Sequence, residues 1–229
     1  MAPAQLGPFF GLPPDNSPMQ LLALDAPPLL AGSGTSLRCL ARRVATALAT
    51  PLPDLVARAR SISGPEPVVG RVQSGGAWND SDVHGALVKA LDPLPGRALR
   101  QAFEWYQCRG AFFHTDAHYA DVLFGVWYID GPPVDLVFAR TSLRVAARPG
   151  TIVVFDPFEV HGVLLPGATE YRADDYAGSS ASVFVGFELE LDDAVRAAFD
   201  LVEPTAAARL VSSSTRVMPT TGAFESPPG

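Results

Sequence analysis

Apolar positions in the C-terminal half of the chain fall in short runs separated by turn residues. The runs are Trp105–Cys108, Ala111–Asp116, Leu123–Ile129, Val134–Arg140, Leu143–Ala146, Thr151–Phe155, His161–Leu165 and Ser182–Leu191. Gly131-Pro132-Pro133, Pro149-Gly150 and Pro166-Gly167 punctuate them with the residues that turns favour. Short apolar runs between turns predict an antiparallel barrel or sandwich. Upstream, Leu37, Leu40, Val44 and Leu48 recur at helical intervals behind Gly34 and Thr35, which predicts an amphipathic helix from Ser36. Further helices are expected from Asp54, over Asp82–Leu91, and from Arg97 towards Trp105. Arg38, Arg42 and Arg43 would then form a solvated basic helix face. Residues 1–35, rich in Pro and Gly, read as an extended lead segment, and residues 204–229, rich in Ala, Ser, Thr and Pro, as a flexible tail. A single domain is expected over 36–203, with helical support at 36–104 and a β core at 105–191.

Composition narrows the function. With 229 residues, 48% hydrophobic and 18% charged, the chain can bury a core of its own. A net charge of −7 gives no overall pull towards a phosphate backbone, so nucleic acid is not an expected partner. The 22 Pro and 20 Gly are more than a helical bundle tolerates. Two cysteines, Cys39 and Cys108, are too few for a disulfide scaffold or a structural zinc cluster. Met1–Leu6 lacks the basic start of a signal peptide, and Pro interrupts the apolar stretch Leu21–Leu30. The expectation is a cytoplasmic protein with no membrane partner.

The candidate chemistry lies in the β region. In His114-Thr115-Asp116 the outer side chains stand at i and i+2, so strand alternation puts them on one face. With His161 from a late strand they would form a two-His, one-carboxylate triad, which leaves open positions on a metal and suits iron(II) and oxygen. A lone His-x-Asp more often sits at a strand end and meets solvent. The weight comes from its surroundings.

Those surroundings are the block Trp105–Asp116, then Asp135-Leu-Val-Phe, then Arg148-Pro-Gly-Thr-Ile-Val-Val-Phe followed by Asp-Pro-Phe-Glu-Val-His161-Gly. From about Trp105 to Leu191 the chain resembles the iron(II)/2-oxoglutarate-dependent oxygenase superfamily, in its prolyl-hydroxylase-like branch. The resemblance implies a mainly β fold with flanking α-helices and a double-stranded β-helix (jelly-roll) core. It implies Fe(2+) held by His114, Asp116 and His161, 2-oxoglutarate and O2 as cosubstrates, and hydroxylation of a C–H bond. An intact Asp116 disfavours the halogenating members, which have a small residue there. Relatives place an Arg or Lys near the start of the last core strand to pair with the distal carboxylate of 2-oxoglutarate, where bidentate geometry suits Arg. Ser180–Phe187 has no base, so Arg172, favoured by spacing, or Arg140 is the expected anchor. Tyr106 matches a tyrosine that hydrogen-bonds the cosubstrate in relatives, and a core tyrosine is the alternative.

His118 reads as a pocket-rim residue, His84 as a surface histidine and Cys108 as buried and apolar. Trp78, Trp127 and Tyr128 are pocket candidates, although strand aromatics are more often core. A cupin-type metalloenzyme is the rival with the same architecture, but cupins carry His-x-His with a following Glu. A non-catalytic barrel binding protein is the rival from another class. Small size favours a small-molecule substrate, such as an amino acid or a natural-product intermediate.

Overall fold

Two facing sheets, mostly antiparallel, form the core of the computed structural model, which describes residues 9–10, 18–33, 36–62, 66–119, 121–201, 209–212 and 214–225. The first strands are β1 (Phe9–Phe10), β2 (Gln20–Ala23), β3 (Leu29–Ser33), β4 (Ser36–Cys39) and β5 (Arg43–Leu48), followed by helix α1 (Pro53–Ser61). Next come β6 (Val72–Asn79), α2 (Ser81–Ala90), β7 (Ala102–Cys108), β8 (Ala111–His114) and β9 (Val122–Asp130). The chain continues through β10 (Val134–Phe138), β11 (Leu143–Ala147), β12 (Thr151–Phe155), β13 (His161–Leu164) and β14 (Ser182–Glu190) to α3 (Asp193–Ala198) and β15 (Arg209–Ser212).

One sheet has the order β2-β5-β12-β9-β14-β7-β6 and the other β1-β11-β10-β13-β8, with β15-β3-β4 as a small third sheet. From β7 to β14 the chain changes sheet at nearly every connection, which is the jelly-roll arrangement. The molecule is mainly β with few helices. Among the described residues no helix is long and apolar enough to cross a membrane.

Period-two alternation explains why β9 and β12 read as continuous apolar runs. Phe124, Val126 and Tyr128 of β9 and Thr151, Val153 and Phe155 of β12 line the space between the sheets. Their neighbours Leu123, Trp127, Ile152 and Val154 face the opposite way and pack with Leu55 of α1 and Val83 and Leu87 of α2. Both faces are covered, so neither needs polar positions. Helix α2 starts where Asp80 accepts hydrogen bonds from the backbone N–H groups of Asp82 and Val83 at 3.0 and 3.1 Å. Asp80→Ala should therefore lower stability by about 0.5–2 kcal/mol, read from urea denaturation midpoints, with no change in metal binding.

Several expectations are corrected. The helix expected from Ser36 is instead the two strands β4 and β5, and β5 joins β12 and β2 in the larger sheet. Val44, Ala45, Thr46 and Ala47 are all buried, so β5 is covered on both faces, and the helical spacing of Leu37, Leu40, Val44 and Leu48 arises by coincidence across β4, the link after it and β5. Arg38, Arg42 and Arg43 consequently form no helix face: Arg38 is ion-paired with the buried Asp156, and Arg43 donates to the Ala198 carbonyl. The helix expected from Arg97 is a single 3-10 turn, Gly96–Ala98, after which Phe103 and Trp105 point outward from β7 into the core. Strand β6 lies within the span expected to be helical support and pairs with β7. Residues 209–212, read as part of a flexible tail, pair in parallel with β3, and Phe113 N–H donates to the Pro219 carbonyl.

Candidate metal centre

Strands β8 and β13 are hydrogen-bonded neighbours with His114 directly opposite His161, and the two imidazole centroids are 4.5 Å apart. Strand β8 ends at His114, so Asp116 lies in the following turn and not on the strand as expected. Asp116 N–H donates to the Pro157 carbonyl at 2.7 Å, which brings the turn against the loop that leads into β13. The Asp116 carboxylate then lies between the rings, 3.5 Å from Nε2 of His114 and 3.4 Å from Nε2 of His161. One ligand atom from each of the three residues falls within 4.8 Å of the others.

The hydrogen bonds on the far side of each ring decide what this arrangement can hold. His114 Nδ1 is 2.7 Å from the Phe112 carbonyl and His161 Nδ1 is 2.8 Å from the Glu159 carbonyl. A carbonyl only accepts, so both Nδ1 atoms carry the proton, and in a neutral ring Nε2 is left with its lone pair. Burial, reinforced by the charge of His161, pushes the His114 pKa down against the pull of Asp116, so that ring is neutral at neutral pH. A neutral Nε2 and a carboxylate are both acceptors, and their convergence in a buried site calls for a shared cation. Burial also pushes the Asp116 carboxyl up, but in acid, where the imidazoles are protonated, the His161 hydrogen bond and the charges of His161, His114 and His118 outweigh it and hold the pKa at about 2, so the carboxylate is already formed when the rings give up their Nε2 protons. Asp116 is thus ionised, as a metal ligand must be. Two imidazoles and one carboxylate with an open side are the donor set of a non-haem iron(II) site, and these residues fit that ion.

The loop before His161 is held by buried charges. Asp156 accepts from the backbone N–H groups of Ala41 and Phe158 at 2.9 and 3.1 Å. Glu159, fully buried, forms a bidentate pair with Arg140 at 2.9 and 2.7 Å. Burial pushes the Glu159 carboxyl up against the opposing pull of Arg140.

All three ligand candidates open onto a cavity of about 310 Å³ between the sheets. Tyr106, Cys108 and His118 line it, as does Tyr128. Burial pushes the Cys108 thiol up to about 12, so it stays protonated. Trp127 and Trp78 face away: Trp127 donates to the Ala49 carbonyl, and Trp78 stacks on Trp105 beneath the Arg58 guanidinium. His84 is half-buried, with Nε2 3.3 Å from the Leu99 carbonyl.

Neither expected anchor lines the cavity. Arg172 is 71% exposed and contacts Glu170, while Arg140 is engaged by Glu159 and the Pro27 carbonyl. Among the described residues no Arg or Lys lines the cavity. The resemblance implied 2-oxoglutarate, whose distal carboxylate calls for a cation, and these walls do not fit it.

The sequence reading missed Glu104, Ser74 and Tyr119, which also line the cavity. Tyr106 O–H donates to Glu104 at 2.7 Å and is 2.6 Å from the Tyr119 hydroxyl. Ser74 Oγ also donates to Glu104. The signal lies in the alternation of Glu104, Tyr106 and Cys108, hidden because the helix expected from Arg97 towards Trp105 covers the start of β7.

No family model matches the chain, and no curated protein matches it. Among solved structures, the crystal structure of an oxidoreductase of the 2OG-Fe(II) oxygenase family from Burkholderia pseudomallei matches over 76% of this chain and 74% of that one. The identity is 13% and the TM-score 0.31.

Proposed function

We propose that this protein is a mononuclear non-haem iron(II) oxygenase acting on a small organic molecule seated in the cavity between its sheets. The observation that carries this reading is the convergence of two Nδ1-protonated histidines and an ionised aspartate on one point at the cavity wall. Iron(II) held there supplies a redox-active centre with open positions for oxygen and an organic ligand.

The protein's own residues do the rest. The Phe112 and Glu159 carbonyls fix ring tautomer and orientation, the outer-shell role that tunes a metal site. Asp116 provides the anionic ligand. Phe124, Phe155 and Phe184 form apolar walls that exclude water around the reacting atoms. Burial pushes the Tyr106 and Tyr119 phenols up, so both keep their protons beside the cavity and serve as hydrogen-bond donors.

Anaerobic titration with iron(II) tests this reading: one equivalent should bind and raise the melting temperature through linkage. Zinc should compete for the same site, since the Irving–Williams order favours it for a given donor set. Absence of stoichiometric iron binding by the folded protein would overturn the proposal.

A further inference from the structure

Strand alternation specifies the wall of the cavity position by position. From β7 the inward residues are Glu104, Tyr106 and Cys108, and from β12 they are Thr151, Val153 and Phe155. Val134 and Leu136 of β10, Ala147 of β11 and Phe184 of β14 continue the wall with apolar side chains. The arginines nearest in sequence turn away: Arg109, next to Cys108, bonds the Pro67 carbonyl and Glu66, Arg148, next to Ala147, is exposed, and Arg144 of β11 lies on the opposite face, bonded to Asp135 at 2.9 Å and to the Ala168 carbonyl at 2.6 Å. Besides the Asp116 ligand, the charged wall residue is Glu104, which accepts from Tyr106 and Ser74 and makes no ion pair with any described Arg or Lys.

A ligand reaching from the metal into this space therefore meets hydrocarbon, hydroxyls, the Cys108 thiol and one carboxylate, with the His118 imidazole exposed at the rim against Tyr119. A second carboxylate on that ligand would lose its water without gaining a counter-ion and would be repelled by Glu104, an unfavourable combination in a partly desolvated site. From this wall, and resting on the iron reading above, we infer that the cavity selects a metal-chelating organic molecule whose body is uncharged or amine-bearing and mainly apolar, and that it discriminates against 2-oxoglutarate. Glu104 sets the sign of that selection, and the aromatic and aliphatic positions set its apolar character.

A pair of probes isolates the charge. 2-Oxoglutarate and 2-oxopentanoate share the same chelating head and chain length and differ by a terminal carboxylate against a methyl group. Each is titrated anaerobically into the iron-loaded protein, with binding read from the charge-transfer absorbance of the chelate and separately from the rise in melting temperature. The expected result is about tenfold or greater preference for 2-oxopentanoate, the scale of an unpaired charge in a desolvated pocket. Glu104→Gln should reduce that preference severalfold by removing the repulsion, and an unmoved ratio would take Glu104 out of the selection. Equal or tighter binding of 2-oxoglutarate overturns the inference. Binding of neither probe to a protein that holds iron overturns the assignment of the cavity to a metal-bound ligand while leaving the triad standing. Failure to bind iron at all overturns the metal reading first.

Discussion

His161→Ala is expected to abolish iron binding in a protein that still folds. His161 is 4% exposed, its Nδ1–H is held by the Glu159 carbonyl, and its Nε2 points at Asp116. Removing it takes one of three protein ligands from the ion and leaves the Asp116 charge with a single histidine. Loss of an outer hydrogen-bond partner of a metal ligand typically lowers affinity by about 10–100-fold, and loss of a ligand should exceed that. His118→Ala is the matched control. His118 also lines the cavity and packs its ring 4.1 Å from that of Tyr119, but it lies outside the three-residue cluster, so iron affinity should change little. Metal content after anaerobic dialysis, with melting curves to confirm folding, reads both variants. A His161→Ala protein that retains iron as the parent does would remove His161 from the centre.

The contrast between those two histidines marks how far the sequence could be read. His114 and His161 were recognisable because each sits in an apolar strand where a polar side chain needs a reason to be. The strands of the core were legible for a related physical cause: turn residues bound them, and their faces are uniformly buried. The N-terminal half was harder. In β5, Val44 and Leu48 are spaced as on a helix face, yet Ala45, Thr46 and Ala47 between them are no less suited to a strand covered on both sides. Only the partner strands β2 and β12 settle it, and they lie far away in sequence.

The same limit applied to charge. Arg172 was favoured by its distance from His161 along the chain, but the 3-10 turn Ala173–Tyr176 that follows it leaves its side chain in solvent. Arg140 faces a glutamate that sequence alone does not pair with it. Glu104 was hidden for a third reason. Its strand begins where the helix from Arg97 was expected, and only the pairing of β7 with β14, Glu104 opposite Gly186, makes the chain extended there so that alternation turns Glu104 inward.

Arg140→Ala should therefore act on stability and not on cavity ligands. Glu159 is fully buried and its carboxylate is paired by Nε and Nη2 of Arg140. Its backbone N–H is used by the Asp156 carbonyl. Removing the guanidinium strands a charge where burial already pushes the carboxyl up, and breaking such a pair typically costs about 3–5 kcal/mol. The deficit should be read from urea denaturation as a shift in midpoint at unchanged slope. Arg140→Ala/Glu159→Gln tests the cause, because an amide needs no counter-ion and should recover most of the loss. If the stranded charge is responsible, the double variant is more stable than the single one even though it is further from the parent sequence. Affinity of the iron-loaded single variant for 2-oxopentanoate should stay within about threefold of the parent, that is within about 0.7 kcal/mol, since the guanidinium is engaged by Glu159 and the Pro27 carbonyl and does not line the cavity. An Arg140→Ala protein of parental stability that loses that affinity would instead place the guanidinium at the cavity and return the role of anchor to Arg140.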